Sequence, residues 1–245
     1  MVAFWLAIAT LWQRELRRFW RERSRVLGLV ASPLVFWLII GFGSGEQGPK
    51  FFFPGTVVLT VMFAAIFSTI SIIEDRREGF LLSMLVSPAP RSGLVLGKIL
   101  GSATLAWVQG TILLAFTPLA GFRLSLAGLA WVAAAILLVA LALASMGFLV
   151  AWRFDSSQGY HAVMNLVMMP MWLVSGSVFS ISSAHGWIRL IMLVNPLTYA
   201  TSLVRRLLAP EMAAGDPTVT VCLGVLVAFS AVLLSGSAIS AAGRS

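Results

Sequence analysis

Cysteine is all but missing from this sequence: Cys222 stands alone among 245 residues, which excludes a disulfide framework and a cysteine-based metal centre. Histidine is nearly as scarce, with only His161 and His185, and Asp and Glu together number nine. Charged residues make up 11% of the chain, where a soluble domain carries about 25%. Nucleophile–base pairs, carboxylate pairs and metal-ligand clusters therefore have little to be built from. No catalytic residue and no metal site is expected.

Hydrocarbon takes the place of charge. The chain is 59% hydrophobic, and its mean hydropathy is +0.96. One bilayer crossing needs about 20 mostly apolar residues. Six stretches qualify, at 26–43, 54–73, 93–117, 126–151, 161–180 and 217–241. The expected fold class is all-α: a polytopic membrane protein, one domain over 1–245, with six transmembrane helices. Spans one to five occupy 26–180 and span six 217–241, which leaves no room for a soluble catalytic domain. Pro33 and Pro170 should kink the first and fifth spans, and Pro54 should open the second.

The formal net charge of +8 is a matter of topology before it is one of nucleic acid. Lys and Arg accumulate on the cytoplasmic side of membrane proteins. With both termini on one side, residues 1–25 contribute six Arg and 74–98 four Lys/Arg, while 152–160 and 242–245 give one each. The other side holds Lys50, Arg123, Arg189, Arg205 and Arg206. Twelve against five puts both termini in the cytoplasm, in the inner membrane of a cell, with anionic lipid headgroups and not nucleic acid as the partner of the basic excess.

The first 25 residues do not read as a signal peptide, because their charges follow the apolar run. At helical spacing Trp5, Ile8, Trp12, Leu16, Phe19 and Trp20 form one stripe. Thr10, Gln13, Arg14, Arg17, Arg18, Arg21 and Arg25 form the other. This predicts an amphipathic helix in the interface plane, either a simple anchor or a lever joined to the first span. Residues 181–216 are too polar for a seventh span and too apolar for a solvated loop. Asn195 can cap a helix starting at Pro196, so two short external re-entrant helices are expected, with Arg205 and Arg206 at the headgroups.

Two nucleotide-motif look-alikes fail their context. Gly43, Gly45 and Gly48 follow a membrane helix and no strand, and the Gly93–Lys98 run is too short for a phosphate loop and lacks its Ser/Thr. If ATP drives this chain, another chain binds it. Gly93, Gly97 and Gly101 fall four apart, a ridge for close helix packing, with Lys98 beside them snorkelling to headgroups. No acidic residue lies well inside a span, which counts against ion-coupled transport. Polar and flexible residues within spans, among them Thr60, Ser68, Met164, Asn165 and Met168, suit a pathway for an amphiphile or ordinary interhelical packing.

Residues 74–92 interrupt this pattern. Glu74, Asp75, Arg76, Arg77 and Glu78 end the second span, and Gly79 permits a turn. Phe80, Leu81, Met84 and Leu85 then give a short helix an apolar face, which Pro88 and Pro90 terminate. Such a face suits docking into a partner's cleft, oriented by the flanking charges.

At these residues the chain resembles the transmembrane subunits of type-2 ABC exporters, in the branch of drug and nodulation-factor exporters. The pattern runs through Glu78, Gly79, Phe80, Leu81, Leu85, Val86, Pro88, Arg91, Leu96, Gly97 and Lys98, and Asn195-Pro196-Leu197-Thr198-Tyr199 follows later. Leu82-Ser83 replaces a pair that is commonly charged in the family. The resemblance covers the whole chain. It implies that residues 74–92, with Arg91, form a coupling helix against a separate ABC ATPase, which carries the ATP and Mg. It also implies two copies of the chain with two ATPases, a pathway between the copies lined by spans two and five, and outward movement of an amphipathic drug- or lipid-like substrate. Polysaccharide, glycolipid or ion export by the same machinery is the alternative. An ATP-independent secondary transporter is the alternative from another class.

Overall fold

The computed structural model describes residues 2–21, 23–45, 48–85 and 90–242, and every regular element among them is helical. In chain order these are α1 (Val2–Arg21), α2 (Arg23–Gly43), α3 (Gly48–Thr69), α4 (Ser71–Arg77), α5 (Phe80–Leu85) and α6 (Arg91–Leu113). There follow α7 (Leu126–Ala151), α8 (Ser157–Trp172), α9 (Gly186–Val194), α10 (Pro196–Leu208) and α11 (Val219–Ala242).

The hub is α3, which is buried on nearly every side against α2, α6, α7 and α10. A helix that is apolar all round belongs in such a position. Its hydroxyls need partners there, and they find them one turn back: Thr56 donates to the Phe52 carbonyl and Thr60 to the Thr56 carbonyl, both at 3.0 Å. Helix starts are capped by side chains that accept from the first turn. Ser125 caps α7, Ser156 caps α8 and Asn195 caps α10, the last accepting from Leu197 N at 3.0 Å.

Among the described residues, four helical stretches are long and apolar enough to cross a bilayer: Gly48–Arg77, Arg91–Phe116, Leu126–Ala151 and Val219–Ala241. Val30–Gly43 within α2 is shorter, and α8 has 16 residues. The expected fifth span, 161–180, breaks early. Beyond Pro170 the chain enters a π-helical turn, Leu173–Ser177, with Gly176 at φ +85. Pro54 lies inside α3 and does not open it, because the helix already starts at Gly48.

The segment after the π turn also differs from its expectation. Helices α9 and α10 meet at a bend of 87°, but α10 is a core element packed on α3, α7 and α11. Arg205 is 1% exposed and not at a headgroup. Its guanidinium donates to Asp216 Oδ2 at 3.0 Å and to the Gly176 carbonyl, and it lies over the Phe51 ring. A charge so placed is tolerated because an opposite charge and a carbonyl meet it. Arg206 donates to the backbone carbonyls of Asp216 and Pro217.

Candidate functional site

Among the described residues, the largest assembly of charge lies where α1, α4, α5 and the start of α6 converge. Helix α1 runs along the glycine row of α6. A Cβ placed on Gly93 would lie 3.1 Å from the Phe4 ring, one on Gly97 3.0 Å from Leu11 Cβ, and one on Gly101 2.8 Å from Glu15 Cβ. The absent side chains let the two helices approach this closely. The packed face of α1 is therefore Phe4, Ile8, Leu11, Trp12 and Glu15, with Trp12 Nε1 donating to Thr104 Oγ1 at 3.0 Å. Trp5 and Trp20, which share the apolar stripe read from the sequence, lie off this packed face and are exposed.

This contact carries Glu15 inward to Lys98. The Lys98 ammonium donates to Glu15 Oε1 at 2.5 Å, to Ser71 Oγ at 3.3 Å and to Asp75 Oδ2. All three donors are used, so Lys98 does not snorkel: it is 4% exposed. Asp75 is fully buried and accepts a two-pronged contact from Arg14, at 2.7 and 2.9 Å, with Arg18 at 3.3 Å. Arg18 also donates to Glu74 Oε2 at 2.6 Å. Three cations thus face three carboxylates. Burial pulls the Arg14 pKa down, but the hydrogen bond and charge of Asp75 outweigh it and leave the guanidinium above its ordinary value. Arg14 also lies 3.8 Å over the Phe80 ring, which ties α1 to α5.

A second set of contacts ties α4 to the far ends of α7 and α11. Arg76 donates to the Trp152 carbonyl at 2.6 Å, the Phe154 carbonyl at 3.0 Å and Asp155 Oδ1 at 2.9 Å. Arg77 Nε donates to the Asp155 carbonyl at 3.0 Å. Trp152 Nε1 in turn donates to the Ser240 carbonyl, and Arg91 to that of Ala241.

Gly79, at φ +74, makes the sharp turn from α4 into α5 that a side chain would resist. The apolar face of α5 then turns inward. Leu81 and Met84 are buried among Ile72, Leu94, Val95, Phe148 and Trp152, so in this arrangement neither side chain is offered to a partner. The same correction applies to Asp75, whose carboxylate is consumed by Arg14 and Lys98. Apolar surface on a six-residue helix is buried most readily by the bundle beside it. Outward face Arg77, Glu78 and Ser83, with Glu74, Arg76 and Phe80 half-buried. An open groove of about 410 Å³ between α1 and α5 is lined by Leu6, Ala7, Thr10, Phe80 and Met84. Pro88 and the side chains of Leu82 and Leu85 lie outside the described residues.

The interfacial arginines divide. Arg14 and Arg18 turn to carboxylates, whereas Arg17 and Arg21 are exposed. The pathway candidates divide too. Thr60, Met164 and Met168 are buried in helix packing, and Ser68 Oγ meets Ser102 Oγ at 3.0 Å. Asn165 alone of the five is exposed, on a groove of about 460 Å³ with Ser32, Pro33, Phe63, Phe67 and Met169. Glu15 was missed from sequence. The available signal was its position four residues beyond Leu11 and seven beyond Ile8, on the packed face, where a lone carboxylate calls for a buried cation.

The sequence profile of the family described as ABC-2 type transporter matches residues 7–209. "Nodulation protein J" of Rhizobium leguminosarum bv. viciae is 28% identical over 233 residues, covering 90% of this chain and 86% of the relative. "Putative transport permease ycf38" of Cyanophora paradoxa is 23% identical over 204 residues, with 77% and 70% covered. "Probable doxorubicin resistance ABC transporter permease protein DrrC" of Mycobacterium tuberculosis is 23% identical over 224 residues, with 87% and 79% covered.

Proposed function

This chain belongs to the ABC-2 type transporter family as a multi-pass membrane permease, and from that premise we propose that its charged end receives the movement of a separate ABC ATPase. Two ATPases, holding ATP and Mg²⁺, act on two copies of the chain. The observation that carries this reading is the clamped charged end. The ion-paired contacts join α1, α4 and α6, the Arg14–Phe80 contact adds α5, and Arg76 extends the unit to the ends of α7 and α11. A push on the exposed Arg77–Glu78–Ser83 surface would therefore move several spans as one body. A loosely hinged loop would absorb the same push.

On this reading both termini are cytoplasmic in the inner membrane, as the twelve-to-five distribution of Lys and Arg supports. Helices α9 and α10 form an external re-entrant pair. The cargo is an amphipathic, drug- or lipid-like molecule moving outward, in keeping with the doxorubicin-resistance relative. It enters by the groove at Asn165, where among the described residues an amide and a hydroxyl stand with aromatic and apolar side chains and no charged one.

Reconstitution tests the proposal. Co-expression with a cognate ABC ATPase should yield a stable complex, and proteoliposomes should take up an amphiphilic dye only with ATP and both proteins present. Dye movement by this chain alone, insensitive to ATP, would contradict it.

A further inference from the structure

Beside the clamped network lies a second basic feature that the network does not use. An open cleft of about 540 Å³ is bounded by Gln13, Arg14, Arg17, Arg18 and Arg21 of α1 and by Glu78. Arg14 and Arg18 are neutralised by Asp75 and Glu74. Arg17 and Arg21, one helical turn apart, have no ion-pair partner among the described residues. Among the described residues the cleft therefore offers two guanidinium groups without an ion pair, offset by the carboxylate of Glu78.

The position of the cleft identifies what can reach it. It occupies the C-terminal half of α1, one residue before α2 begins. The apolar run of α2 begins at Val26 in the sequence, so from Arg23 the helix rises only about 5 Å before its residues become hydrocarbon. Trp20, 68% exposed, projects from the same end of α1. An exposed indole with neighbouring arginines, just ahead of an apolar helix, is the signature of the headgroup layer. The apolar α1–α5 groove extends toward the other end of α1, to Ala3 and Leu94, and adjoins the cleft at Thr10 and Arg14.

We infer that the Arg17–Arg21 cleft is a discrete binding site for the phosphate-bearing headgroup of an anionic phospholipid. Arginine forks match phosphate oxygens in pairs, and the free charge of the cleft is of the right sign. The occupied site would press a lipid headgroup against the same helix whose Arg14 and Arg18 hold α4 in place. Anionic lipid would then stabilise the docked pose of α1.

Native mass spectrometry of the full chain in mild detergent, titrated with phosphatidylglycerol, tests this. One phosphatidylglycerol should be retained per chain in preference to phosphatidylcholine. The double variant Arg17→Gln, Arg21→Gln should weaken retention roughly 30-fold, at about a fivefold loss for each arginine near a charged surface. Arg123→Gln with Arg189→Gln should leave retention unchanged. Retention by the unmodified chain should fall as ionic strength rises. Equal retention by the Arg17/Arg21 variant, or retention insensitive to salt, would overturn the assignment. So would displacement of the lipid by free glycerol phosphate at matching concentrations, which would mark a soluble-anion site. Loss of ATPase binding in that variant with lipid retention intact would also overturn it, and would assign the arginines to a protein partner.

Discussion

Lys98 meets two buried carboxylates with one ammonium group, and the second negative charge is met by Arg14. The consequences of removing each partner are therefore unequal. Lys98→Met leaves Asp75 with its two-pronged Arg14 contact but leaves Glu15, which is 3% exposed, with only a longer 3.7 Å ion pair to Arg14 and no hydrogen-bonded cation. A carboxylate left buried without its cation costs about 3–5 kcal/mol, so the apparent unfolding temperature in detergent should fall sharply. Adding Glu15→Gln to Lys98→Met should recover part of that loss, because the stranded charge is gone; a full double-mutant cycle gives the coupling. Arg77→Ala, at an exposed position, should change stability by no more than about 0.5 kcal/mol. Sequence reading found Asp75 and Lys98 but sent both outward. Their positions at the end of a span and the start of another looked like surface, and the helix that covers them is 60 or more residues away in the chain.

At the scale of elements, α1 shows what periodicity conveys and what it does not. That residues 2–21 form one amphipathic helix was legible from the spacing of Trp, Ile and Arg. Which of its faces packs was not, because the answer depends on the glycine row of α6, where backbone proximity outweighs side-chain size. Gly101→Leu should force Glu15 away from Lys98, since even a Cβ there lies 2.8 Å from Glu15 Cβ. Overpacking of this kind costs about 1–3 kcal/mol. Hydrogen–deuterium exchange should accelerate across 2–21 while the amides of α7 keep their protection. The short helix α5 carries a similar lesson. Its apolar face was read as one that docks into a partner's cleft, whereas Leu81 and Met84 pack on Ile72, Leu94 and Phe148 of their own chain. The capped start of α10 was legible from Asn195-Pro196, but not its burial, which depends on Asp216 meeting Arg205.

Over the whole molecule, the two ends of the bundle are built alike in one respect: each closes around buried ion pairs. At one end Lys98, Asp75 and Glu15 hold α1, α4 and α6, and at the other Arg205 binds Asp216 and the kinked turn at Gly176. An all-helical, membrane-spanning chain was legible from composition alone. The count of spans was less so, because Pro170 and the π turn shorten the fifth apolar stretch in a way that hydropathy does not register. The proposed sidedness rests on the Lys/Arg count and can be measured. In a Cys222→Ala background, Ser83→Cys should react with a membrane-impermeant maleimide only from the cytoplasmic face, and Ser182→Cys only from the opposite face. Reaction of both from one face would contradict the assigned topology.

Transmission through the charged end is the claim on which the functional account rests, and Glu78 is its most direct probe, because it is exposed and makes no ion pair among the described residues. The decisive measurement is the ATP turnover of the reconstituted permease–ATPase complex carrying Glu78→Lys, with Arg77→Glu and Ser83→Lys alongside. Turnover should drop several-fold for Glu78→Lys while the complex still copurifies. Unchanged turnover in intact complexes of all three variants would contradict the account.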